Sequence, residues 1–233
     1  MPVLTPNQVT HAFNKMLRIN FENIAKGGQR APLMLWGPPG IGKSMIFAAE
    51  CKKKNLLLID LRLILMEPTD LRGIPVPVAR KLKEAVDRHA NGEEEIDEYI
   101  ETSGDGVEMV EVVWAAPSFL PKADPVTGLW DGWYNGHKYD GAVILLDELP
   151  NAAPSTQAAS YQLTLDGKLG DFNVPKNVVV FAAGNREQDK GGTHKMPLPL
   201  VNRMIHIEMQ ANFEEWRSYA ILAGVSDKVI GYL

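Results

Sequence analysis

The sequence has a single cysteine, Cys51, so no internal disulfide can form, and a reduced, cytoplasmic setting is expected. It has no long apolar run. The longest, Leu56 to Met66, is broken by Asp60 and Arg62 and is too short to span a bilayer. No basic-then-apolar leader opens the chain, so no membrane association is expected. Nor is there an excess of positive charge: 24 Lys and Arg stand against 29 Asp and Glu, a net −5. That balance argues against a dedicated binder of nucleic acid or anionic membrane, and leaves room only for a local basic loop. What remains is an ordinary globular composition, 45% hydrophobic and 23% charged, over 233 residues. Such a chain fits one large α/β domain, or one domain and the beginning of another.

The most informative stretch is APLMLWGPPGIGKSMIFAAE, residues 31–50. Leu33 to Trp36 reads as a buried strand, and a helix follows from about Lys43. Between them Gly37, Pro38, Pro39, Gly40, Ile41, Gly42, Lys43 and Ser44 complete the phosphate-loop pattern G-x-x-x-x-G-K-S/T. The glycines allow successive N–H groups to turn inward around phosphate oxygens, and the helix points its positive end at the same place. Lys43 is expected to reach the β- and γ-phosphates and Ser44 to help hold Mg²⁺.

Ahead of this loop, Thr5, Pro6 and Gln8 form a capping-box start, with Val9, Phe13, Met16, Leu17, Phe21 and Ile24 at helical spacing. Either core packing or contact with a nucleotide base explains that stripe. Leu56 to Leu61 reads as the second buried strand. EPTDLRGIPVPVAR is too rich in proline for a helix or central strand throughout. Residues 81–108 carry an acidic run, Glu93 to Glu101, expected to be a solvated insertion. Val107 to Trp114 then reads as one arm of a hairpin. Residues 117–141 form an aromatic loop in which Trp130, Trp133, Tyr134 and Tyr139, near His137 and Lys138, either pack on themselves or stack on bases.

AVILLDEL, residues 142–149, is a continuous apolar run ending in two acids, as expected of a strand buried on both faces that delivers carboxylates to the ligand rim of an open sheet. Asp147 is placed to hold the hydration shell of Mg²⁺ and Glu148 to orient an attacking water. Alone, such a pair often only caps the next element. After a helix from about Ser155 to Leu165, Asn177 to Ala183 forms another buried strand, and Asn185 emerges on the rim of Glu148, where an amide could sense the γ-phosphate or merely form a turn. Arg203 precedes a last strand, Met204 to Glu208, and Phe213 to Leu222 begins a helix.

With GPPGIGKS, VILLDEL, VFAAGNR and LPLVNRMIHIE in this order, the sequence resembles the AAA+ ATPases, and among them the MoxR-like, dynein-related group. TDLRGIPVP and the W-x-x-P-S-F-L-P segment are further matches. The resemblance, over about residues 30–222, implies a P-loop NTPase three-layer sandwich whose parallel sheet has strand order 5-1-4-3-2. It implies ATP and Mg²⁺ as cofactors, assembly into a ring, commonly a hexamer, and a client or adaptor protein as partner. It implies that Arg203 acts in trans on the γ-phosphate of a neighbouring subunit, with Arg186 as the competing candidate. The expected layout is a core over 1–209, interrupted by a charged insertion and hairpin at 79–114, and the beginning of a helical lid at 210–233. The expected activity is ATP hydrolysis coupled to remodelling of a partner. A nucleic-acid motor, suggested by the aromatic loop and by Lys190 to Lys195, and a nucleotide-gated scaffold with little turnover are the alternatives.

Overall fold

A computed structural model describes residues 1–79, 109–169, 172–189 and 194–231. The strands are β1 (Val3–Leu4), β2 (Leu33–Trp36), β3 (Leu56–Arg62), β4 (Ile74–Ala79), β5 (Met109–Ala115), β6 (Trp133–Tyr134), β7 (His137–Lys138), β8 (Gly141–Asp147), β9 (Lys168–Leu169), β10 (Phe172–Asn173), β11 (Val178–Gly184) and β12 (Ile205–Met209). The helices are α1 (Pro6–Ala25), α2 (Lys43–Lys53), α3 (Pro68–Arg72), α4 (Pro154–Leu165), α5 (Leu198–Val201), α6 (Phe213–Leu222) and α7 (Asp227–Ile230).

The central sheet has the order β1-β12-β2-β11-β8-β3, and every neighbouring pair is parallel. Numbering only the five long strands along the chain, this is 5-1-4-3-2, as the resemblance implies. The sixth strand, β1, was not expected. It is two residues long, too short for any periodicity, and pairs Val3 with Glu208 and Leu4 with Met209.

Alternation along the strands builds a core on each face of the sheet. Leu33, Leu35, Val143, Leu145, Val179 and Phe181 face one way, against Val9, Phe13, Met16 and Leu17 of α1 and Phe47 and Cys51 of α2. Phe13 stands edge-on to Phe47 at 5.2 Å and to Phe181 at 5.4 Å. The apolar stripe of α1 is therefore core. Its start is held as expected, the Thr5 side chain accepting from the Gln8 N–H and the Gln8 side chain from the Thr5 N–H. Met34, Ile144, Leu146, Val180 and Ala182 face the other way, against Ala159 and Leu163 of α4 and Leu200 of α5. The result is a three-layer α/β fold.

The proline-rich stretch after β3 forms α3 and then β4, the partner arm of β5 in a separate antiparallel ribbon. Pro75 and Pro77 are two apart and so share one edge of that ribbon, which keeps both missing N–H groups on the unpaired side. The acidic run and most of the expected insertion lie outside the described residues, as do residues 190–193 of the Lys/His-bearing segment. In the aromatic loop, Trp130 is buried in the core and stacks with Tyr139 at 6.5 Å, while Trp133 and Tyr134 stay exposed on the β6–β7 hairpin. The loop thus packs on itself at its base and presents two rings at its tip.

Candidate nucleotide site

β2 lies between β11 and β12 and runs straight into the glycine-rich loop. The Gly37 N–H donates to the Gly184 carbonyl at 3.2 Å, tying the loop's first residue to the end of β11. Gly40 and Gly42 have φ of 75° and 92°, and beyond the adjoining residues no heavy atom lies within 4 Å of where a Cβ would stand at either. Backbone conformation, not crowding, therefore requires glycine there. Gly42 caps α2 without any side-chain hydrogen bond, so the leading N–H groups of the helix have no side-chain acceptor. Uncapped amides at the positive end of an eleven-residue helix suit a phosphate.

Lys43 is buried, and its ammonium donates to the carbonyls of Gly37 at 2.8 Å and Pro38 at 2.9 Å and to Asn185 Oδ1 at 2.9 Å. These three acceptors match the three protons of the ammonium. Burial lowers its pKa from the ordinary lysine value, and the carboxylates of Asp147, Asp189 and Glu148 oppose that shift. The Ser44 hydroxyl donates to Asp147 Oδ2 at 2.6 Å, so the two residues expected at Mg²⁺ already meet. One hydroxyl and one carboxylate fit a cation that keeps several waters and takes its other oxygens from phosphates.

β8 is buried through Leu146 and emerges at Asp147, whose Oδ1 accepts the Glu148 N–H at 2.9 Å. Glu148 has φ 57° and ψ 31°, a left-handed conformation that costs a non-glycine residue roughly 1–2 kcal/mol. The buried turn Leu149–Asn151 imposes it. Pro150 of that turn packs so closely on Gly184 that a Cβ there would lie 2.2 Å from Pro150 Cδ. The strained turn keeps Glu148 on the rim instead of following the strand inward.

The residues of the loop, Asp147, Glu148 and Asn185 therefore converge. Arg186 does not join them as a free cation. Its guanidinium is held by both carboxylate oxygens of Asp189 and by Glu208 at the end of β12. The bonds to Asp189 and Glu208 raise the pKa of Arg186 further and hold that of Asp189 below the ordinary carboxylate range. The i to i+3 spacing of Arg186 and Asp189 was visible in the sequence; the long-range partner Glu208 was not. Asp60 of β3 was also missed. Burial first, and Asp147 second, raise its pKa.

Arg203 stands apart. It precedes Ile205, which pairs with Leu33 at the entry of β2, whereas the phosphate loop begins after Trp36 at the exit. Four residues of strand, about 13 Å, separate that entry from the loop. It is exposed, and among the described residues its side chain takes no hydrogen bond or ion pair.

No family model matches the chain, and no curated protein matches it. Solved structures do. A candidate ATPase from Cytophaga hutchinsonii aligns with a TM-score of 0.50 at 15% identity, over 95% of this chain and 57% of its own. The RuvB Holliday junction branch migration motor of Thermotoga maritima aligns with a TM-score of 0.43 at 13% identity, over 93% of this chain and 52% of its own. The chain thus spans little more than half the length of these structures. At such identity the likeness to the first supports the fold, and activity must be argued from the residues.

Proposed function

We propose that the chain binds Mg²⁺-ATP in the loop Gly37 to Ser44 and hydrolyses it as an AAA+ protein of the MoxR-like type. The observation that carries this reading is the 2.6 Å bond from Ser44 to Asp147, which brings the end of the glycine loop and the acidic strand end onto one point. Glu148 follows at once, held on the rim by its left-handed turn. In this reading the amides of residues 40–44 bind the phosphates, and Lys43 exchanges loop carbonyls for phosphate oxygens. Ser44 and Asp147 hold the cation, which shields the phosphate charge when bound. Glu148 takes or orients the proton of the attacking water, and Asn185, released by Lys43, faces the terminal phosphate.

The placement of Arg203 at the opposite end of the sheet supports action in trans, within a ring of copies, hexameric by resemblance. In this reading residues 1–209, apart from the insertion and hairpin at 79–114, belong to the nucleotide-binding core, and α6 and α7 belong to a helical lid. We infer a cytoplasmic protein whose turnover remodels or assembles a partner, a client or adaptor protein. The test is Glu148→Gln, which should retain ATP while phosphate release falls at least about 100-fold. Undiminished turnover would overturn the assignment.

A further inference from the structure

Trp36 is the last residue before the phosphate loop, and its indole is directed at β12. Nε1 donates to His206 Nδ1 at 2.8 Å, and the two rings lie 5.9 Å apart, inclined by only 21°. An indole nitrogen can only donate, so Nδ1 of His206 is bare and the ring proton sits on Nε2. Nε2 lies 2.7 Å from the carbonyl oxygen of Val201, the last residue of α5. That same carbonyl accepts the Met204 N–H at 3.3 Å, closing the turn that contains Asn202 and Arg203. One imidazole, in one tautomer, therefore joins the residue before the phosphate loop to the turn that presents Arg203. Register alone sets His206 beside Met34, so the link to Trp36 is a diagonal one made by the long side chains.

We propose that His206 is a positioning residue for Arg203. The proposal rests on the reading that Arg203 completes the site of a neighbouring copy. α5 is only four residues long, and without the imidazole the Val201 carbonyl keeps a single, long bond to Met204. The exposed turn would then be free to re-aim its guanidinium, and an error near 1 Å in such a group lowers turnover about 100-fold. The same strand holds Arg186 through Glu208 at its other end. β12 thereby connects the phosphate side of one site with the arginine offered to the next.

The test compares ATP affinity and phosphate release, as a function of protein concentration, in the full chain and its variants. His206→Phe keeps a flat ring but neither hydrogen bond; His206→Gln restores a donor toward Val201. The phenylalanine variant should bind ATP within about twofold of the parent and lose turnover about 10- to 100-fold. Combined with Arg203→Ala it should lose no more than Arg203→Ala alone, and the glutamine variant should recover most of the loss. Normal turnover in the phenylalanine variant, an equal loss of ATP affinity, or multiplying losses in the double variant would overturn the proposal. Nitrogen NMR of the imidazole reads the link without turnover. It should show Nε2 protonated, Nδ1 bare, and a Trp36 indole signal that moves when a non-hydrolysable ATP analogue is added. A ring protonated on Nδ1, or an unmoved indole signal, overturns the link whatever Arg203→Ala does. Normal turnover in Arg203→Ala with the expected ring spectrum sinks instead the reading of Arg203 as a trans-acting group.

Discussion

Gly184→Ala probes the contact on which the position of Glu148 depends. Gly184 does not have a positive φ, so alanine meets no backbone penalty there. The added Cβ would lie 2.2 Å from Pro150 Cδ, 2.6 Å from Pro150 Cγ and 3.2 Å from Met34 Cε. The methionine end can swing aside, but the proline ring is rigid and sits in a buried turn. To reach ordinary contact Pro150 must retreat by about 1.2 Å. Overpacking of this kind costs roughly 1–3 kcal/mol, and each kcal/mol lowers the melting temperature of a chain this size by about 2–4 °C. Pro150 lies two residues beyond Glu148, so the displacement passes directly to the carboxylate. A shift near 1 Å predicts a loss of about 100-fold in turnover. ATP affinity should change little, because the atoms nearest the added methyl group belong to Pro150 and Met34 and not to the loop. Phosphate release with Mg²⁺-ATP, a nucleotide titration and a melting curve on the same preparation make the measurement. Turnover within about threefold of the parent, with an unchanged melting temperature, would refute the reasoning by showing that the turn yields freely.

Lys43→Met removes the donor shared by two loop carbonyls and Asn185, so nucleotide affinity should fall at least tenfold, about 1.4 kcal/mol, in an equilibrium titration. Affinity equal to the parent would remove Lys43 from the site. The carboxyl of Asp189 titrates below its ordinary value because of Arg186. The resulting stabilisation is complete above the unfolded carboxylate value, about pH 4, and is lost as pH falls through the lower folded value. Arg186→Ala should flatten that acid limb in denaturation curves taken from neutral pH downward, and an unchanged limb would contradict it. Burial, and then Glu50, push the thiol of Cys51 up to about 12. Native protein should accordingly resist alkylation near pH 8, and full labelling should appear only in denaturant. Rapid labelling of the folded chain would place Cys51 outside the core.

The local features that one segment can encode were legible along the chain. The glycines of the phosphate loop, the capping box at Thr5 and Gln8, the apolar run ending in Asp147 and Glu148, and the helix from Phe213 all follow from spacing, because backbone conformation and burial leave a periodic mark. The strand order came from the order of the motifs and their resemblance to a family, and the parallel register confirms it. What the sequence could not contain were relations between segments far apart in the chain. β1 has two residues and exists only because the edge of β12 is available to it. Arg186 looked like a free cation for phosphate until Glu208, 22 residues away, closed on it. Gly184 reads as a turn glycine, yet the nearest obstacle to a side chain there is Pro150 from another strand end. The bond between Trp36 and His206 spans 170 residues. Each of these contacts depends on three-dimensional register, which is set when both faces of the sheet are buried together and which no single stretch of sequence records.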